Sequence, residues 1–125
     1  MAKFSYRMQN ILDIKYKMEE QAKSSFATAM AKLRTEKDKL DAMFARKKEL
    51  EEDYRSKAQG QINVFDLLNG RKAIDFQKEL IKDQMVEVRV AQKNVEIARA
   101  RLNDVMKDRK THEKLREHAF EDFLH

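Results

Sequence analysis

The chain has 125 residues, enough for one domain, with no cysteine, no proline, no tryptophan and two glycines, Gly60 and Gly70. Average usage would supply about fifteen Gly and Pro residues, so a chain nearly free of turn formers is a chain with few turns. Net charge is +5 from 27 basic and 22 acidic residues, and charged residues make up 39%. The absence of cysteine excludes a disulfide framework and thiolate chemistry and suits a reducing cytosol. No window approaches the roughly 18 apolar residues of a membrane span. Residues 1–20 lack the continuous apolar core of a secretory signal.

The first predicted element is a helix over about residues 4–58. Phe26, Leu33 and Leu40 repeat by seven, with Ala22, Ala29, Met43 and Leu50 beside them and Phe4, Met8, Ile11 and Met18 continuing the stripe. Seven is the period of a left-handed coiled coil. Lys15, Glu36 and Lys47 interrupt the seam, and are expected to lay their methylenes on it while keeping the charge in water. Asp13 with Lys17, Glu19 with Lys23, Glu51 with Arg55 and Asp53 with Lys57 stand four apart and read as pairs on a solvated surface.

The turn falls at about residues 59–62. Gly60 suits the left-handed conformation that ends a helix, Asn63 offers an N-cap, and Asp66 lies in the first turn of the next helix. Asn69-Gly70 is a second turn signal, but the apolar pattern resumes before it, at Phe65, Leu67 and Leu68.

A second helix is predicted over about residues 63–123. Ile74, Ile81, Val88, Val95 and Leu102 are each seven apart, with Met85, Ala91, Ala98, Val105 and Met106 alongside. Folding about Gly60 pairs residue i with about residue 121 − i, which sets Leu40 against Ile81, Leu33 against Val88 and Phe26 against Val95. The expected fold is all-α, one long two-helix antiparallel coiled-coil hairpin spanning residues 1–125. Arms of about 55–60 residues make a rod about 80–90 Å long, with a seam too narrow for a pocket.

Catalysis needs a concave site with convergent groups, and no motif here supplies one. There is no phosphate-cradling glycine loop. His112 and His118 stand six apart, on different helical faces, unlike a helical zinc pair; His112 falls on the seam as a structural residue, and His125 ends the chain. The methionines read as seam filler. No cofactor, metal or catalytic residue is expected, so the chain is expected to bind rather than to catalyse. Residues 99–118 carry seven cations (Arg99, Arg101, Lys107, Arg109, Lys110, Lys114 and Arg116) against Asp104, Asp108, Glu113 and Glu117. They form either a solvated face or a docking surface for an acidic partner.

The opening segment from Lys3 to Lys15 (Lys3-Phe4-Ser5-Tyr6-Arg7-Met8-Gln9-Asn10-Ile11-Leu12-Asp13-Ile14-Lys15) resembles the start of flagellar export proteins of the FliJ family. So do Ala73-Ile74-Asp75-Phe76 and Ile81-Lys82-Asp83-Gln84, then Val95-Glu96, Leu102, and Lys110 with Glu113-Lys114-Leu115. The resemblance covers nearly the whole chain. Family members usually continue with a charged tail where this sequence stops at His125, which reads as a shortened form.

The resemblance implies a two-helix antiparallel coiled coil similar to the rotor stalk of rotary ATPases. Its partners would be the hexameric flagellar export ATPase, whose ring assembly it promotes, the cytoplasmic domain of the export gate, and export chaperones. It would work in the cytoplasm, at the cytoplasmic face of the inner membrane at the flagellar base, without inserting into it. A gate-contact surface near the hairpin tip would map to Met43, Lys47, Leu50 and Tyr54 and to Ala73, Gln77, Leu80 and Gln84. Of these Tyr54 keeps the family-type residue, while Ala73, Gln77 and Gln84 depart from it. The termini would enter the ATPase ring; the basic stretch lies at that end, and its position there, rather than the resemblance, assigns the contact to the seven cations of residues 99–116. Two other readings are a plain coiled-coil spacer or homodimer, and a basic nucleic-acid-binding rod. Interleaved acids and the lack of aromatic–basic alternation disfavour the rod.

Overall fold

The computed structural model describes residues 3–125. Two helices, α1 (Gln9–Lys57) and α2 (Val64–Leu124), pack antiparallel as a coiled-coil hairpin, with no strand among the described residues. The apolar periodicity begins at Phe4, but α1 begins at Gln9. Lys3–Tyr6 is irregular and Arg7–Met8 a turn, closed by the Gln9 N–H donating to the Tyr6 carbonyl at 3.0 Å. The tertiary contact explains the delay: the Phe4 ring meets Phe120 edge-on at 5.1 Å and Phe123 at 5.6 Å, which draws this segment off the helical path.

Between the helices, the Ala58 N–H bonds both the Tyr54 and Arg55 carbonyls, at 3.1 and 3.2 Å, a bifurcated bond that tightens the last turn. Gly60 then takes φ +76°, a conformation open to glycine and costly to other residues. The Asn63 side-chain oxygen accepts from the backbone N–H groups of Phe65 and Asp66, at 3.0 and 3.3 Å. Those are the second and third positions of α2, so Asn63 is its N-cap. Asp66 sits in the first turn, its charge complementing the helix dipole.

Two compact units are present. The turn-end unit comprises residues 31–93. Its buried apolar residues are Leu33, Ile74, Ile81 and Ala91, and three polar residues, Glu36, Gln77 and Gln84, are buried with them. The terminal-end unit comprises residues 3–30 and 94–125. Leu12, Ala22, Val95 and Val105 are buried there, with Leu12 and Val95 at 2% and 1% exposure, and Glu19 is the buried charge.

Of the three seam interruptions, Lys15 and Lys47 keep partly wet ammonium groups, paired with Asp108 at 2.8 Å and Glu51 at 3.5 Å. Glu36 does not: it is 4% exposed. The expected surface pairs are also redistributed. Asp53–Lys57 forms, at 3.1 Å, whereas Glu51 pairs with Lys47 and Lys23 with Glu20. Asp13 accepts from the Gln9 amide, and Glu19 turns inward.

Candidate partner-binding surfaces

In the turn-end unit, the heptad spacing of α2 brings Gln77 and Gln84 onto the seam one heptad apart. The Gln77 amide donates to the Met43 carbonyl at 2.9 Å. The Gln84 amide donates to the Glu36 carbonyl at 2.9 Å and to its carboxylate at 2.6 Å. Lys32 and Lys39 approach the same carboxylate at 3.0 and 3.4 Å. The Gln84 bond, then the Lys32 ammonium, holds the Glu36 pKa down to about 2, so the group stays ionised although it is buried.

The eight residues expected at a gate contact all lie in this unit. Gln77 and Gln84 are buried, and Met43, Lys47, Leu50, Tyr54, Ala73 and Leu80 are half-buried. The structure brings them together along the seam between α1 and α2, with little of their surface facing outward. The outward apolar groups of this unit are others: Phe65 is 78% exposed, with Ile62, Val64, Leu68 and Phe76 also open. The heptad frame distinguishes them, since Leu67 falls on the seam with Ile74 and is half-buried, whereas Phe65 and Leu68 flank it. An open hollow of about 590 Å³ is formed by Gln61–Phe65.

In the terminal-end unit the seven cations separate into distinct roles. Arg109 is spent internally. Its Nε and Nη2 grip both carboxylate oxygens of buried Glu19, at 2.8 and 2.9 Å, and its Nη1 reaches Glu113 at 3.1 Å. Glu113 also accepts from the Tyr16 hydroxyl. The paired guanidinium lowers the pKa of Glu19, and Tyr16 with Arg109 lowers that of Glu113; donating that bond raises the Tyr16 phenol in turn. Arg99 lies over the Phe26 ring at 5.6 Å and Arg116 over Phe4 at 5.7 Å, with Arg116 also donating to the Gln9 side-chain oxygen at 2.9 Å.

The remaining four, Arg101, Lys107, Lys110 and Lys114, are exposed. Lys107, Lys110 and Lys114 stand at i, i+3 and i+7, one stripe of a helix. Lys15 bonds Asp108 and lowers its pKa, and His112 is 3.6 Å from the other Asp108 oxygen. A groove of about 620 Å³ lies between residues 4–8 and the α2 face of Ala119, Asp122 and Phe123, at the end of the unit rather than inside the seam.

A heptad seam crossed by buried polar contacts defines an antiparallel two-helix coiled-coil hairpin. The family model for the flagellar FliJ protein matches residues 4–125. The chain belongs to that family, whose members are components of the flagellar protein export apparatus. No curated protein and no solved structure matches it. No helix among the described residues is long and apolar enough to cross a membrane.

Proposed function

We propose that the chain is the stalk-like component of the export apparatus: it binds the hexameric export ATPase through its terminal-end unit and promotes ring assembly. The turn-end unit, with Phe65 and Leu68 exposed at its tip, contacts the cytoplasmic domain of the export gate and export chaperones. The chain acts by binding, at the cytoplasmic face of the inner membrane. The observation that carries this reading is the stripe of Lys107, Lys110 and Lys114, three like charges on one helical face with no ion pair to a described residue. A row of ammonium groups on one face, none held in an ion pair, favours an acidic partner surface.

The test is charge reversal of the three lysines together, Lys107→Glu, Lys110→Glu and Lys114→Glu, read as co-purification with the export ATPase and as ATPase turnover. Binding weakens at least tenfold, and salt weakens the native complex more than the variant one. Undiminished binding by the folded variant overturns the assignment. Arg109 is left out of the set because its loss would damage the helix pair itself.

A further inference from the structure

The turn does not by itself decide which residues of α1 face which residues of α2. The chain carries two turn signals, Gly60 and Asn69-Gly70. Its seam residues Leu33, Leu40, Ile81 and Val88 are similar enough that apolar packing tolerates a slip by a whole heptad. From the buried contacts of the turn-end unit we propose that Glu36 and Gln84 form a register lock, which holds α2 against slippage along α1.

The lock discriminates because its acceptor is a buried oxygen that needs a donor from α2. In the native register the Glu36 carboxylate is 4% exposed and takes the Gln84 amide at 2.6 Å, while the same amide grips the Glu36 backbone carbonyl at 2.9 Å. A one-heptad slip in one direction replaces Gln84 with Ala91, which has no donor, so a buried carboxylate loses its cross-helix partner. Lys32 and Lys39 reach only the other carboxylate oxygen, from α1 itself, so the slip leaves one buried oxygen without a donor, a cost that the native register avoids. A slip in the other direction offers Gln77 as a donor, but removes Gln77 from the Met43 carbonyl it holds at 2.9 Å and Tyr54 from Gly70, whose missing side chain leaves room for the tyrosine ring. A leucine pair in place of Glu36 and Gln84 would pack in any of these registers. The polar pair gives up apolar burial in exchange for one arrangement, as single buried polar residues do in other coiled coils.

The natural chain has no cysteine, so two spin labels can be placed uniquely, at Asp41→Cys and Lys93→Cys, both exposed in the turn-end unit. Electron–electron double resonance on the full chain gives one narrow distance in the native background. With Glu36→Leu and Gln84→Leu together, helix content stays and a second population appears, displaced along the helix axis by about 10 Å, the rise of seven residues. A single unshifted distance in that folded variant overturns the lock.

Gln84→Leu alone, which leaves the second carboxylate oxygen without its donor, lowers the melting temperature by about 5 °C or more; no change also overturns it. Glu36→Gln keeps an acceptor for Gln84, so it retains the single distance even if the double-leucine chain fails to fold. A second population in Glu36→Gln would show that the amide bond does not hold the register.

Discussion

The ring of Tyr54 lies 3.1 Å from where a Cβ on Gly70 would stand. A glycine in mid-helix sacrifices about 1 kcal/mol of helix propensity, and here the vacant side-chain position is where a half-buried aromatic from the facing helix comes to rest. The two glycines of the chain thus do different jobs: Gly60 supplies a backbone angle, and Gly70 supplies room.

Alanine at each glycine separates these jobs. Gly60→Ala meets nothing within 4 Å but must hold φ +76°, which costs about 1–2 kcal/mol. Gly70→Ala recovers about 1 kcal/mol of helix propensity and needs Tyr54 to shift by only a few tenths of an ångström, so its net change lies within about 1 kcal/mol of zero. Gly70→Leu evicts the ring and destabilises. Urea denaturation of the three variants orders them, and a Gly60→Ala chain as stable as the natural one would contradict the assignment.

The cations of the terminal-end unit divide in the same way between structure and surface. Arg109→Leu leaves the buried Glu19 carboxylate without its bidentate partner, so thermal unfolding moves to lower temperature and amide exchange accelerates at residues near Glu19. Lys110→Ala and Lys114→Ala leave the melting curve unchanged, because neither side chain is held by a described residue. Equal losses in all three would mean that the Arg109 grip contributes nothing special.

Stability should depend on pH at both extremes. The folded pKa values of Glu19, Glu36, Asp108 and Glu113 all lie below their ordinary values, that of Glu36 at about 2 against 4.5. Depressed carboxyl groups contribute stability that is complete above the unfolded value and is lost as pH falls through the folded one. The plateau therefore extends down to about pH 5, and stability falls between about pH 4.5 and 2. Tyr16 works in the opposite sense. Its phenol is raised above 10.0, so its contribution is complete below about pH 10 and declines above it. Melting curves across the two ranges check both, and Glu36→Gln should flatten the acid limb.

Phe4 is the anchor of the segment before α1. Phe4→Ala removes the contacts with Phe120 and Phe123 and the face on which Arg116 lies, a loss of about 1 kcal/mol or somewhat more. Hydrogen exchange should report it as faster exchange at residues 116–124, with protection around Val95 and Val105 unchanged. Protection lost throughout the terminal-end unit would show instead that this clasp supports the whole seam.

The seam is legible in the sequence because Ile74, Ile81, Val88, Val95 and Leu102 keep one heptad position while the other faces vary. The turn is legible because Gly60, Asn63 and Asp66 each carry a local signal that needs no knowledge of the partner helix. What periodicity does not separate is a charge that snorkels from a charge that is buried and paired. Lys15 and Glu36 both interrupt the apolar stripe, yet only the facing residue, Gln84 for Glu36, decides which outcome holds. Arg109 reads as one of the outward cations for the same reason, since its partner Glu19 comes from the other helix. The tip map of Met43 to Tyr54 and Ala73 to Gln84 follows a helical stripe, but that stripe is the one α1 and α2 use to meet each other.

Residues Ala58–Asn63 are all exposed, and a Cβ at Gly60 would meet open space. Nothing in the seam depends on the side chains between Gly60 and Asn63, so a reporter peptide spliced after Gly60 would leave both helices as they are. Each doubling of such a loop lowers stability by only about 0.6 kcal/mol. The bend is thus a natural splice point for an affinity handle or fluorophore, in the unit that holds none of the three lysines Lys107, Lys110 and Lys114.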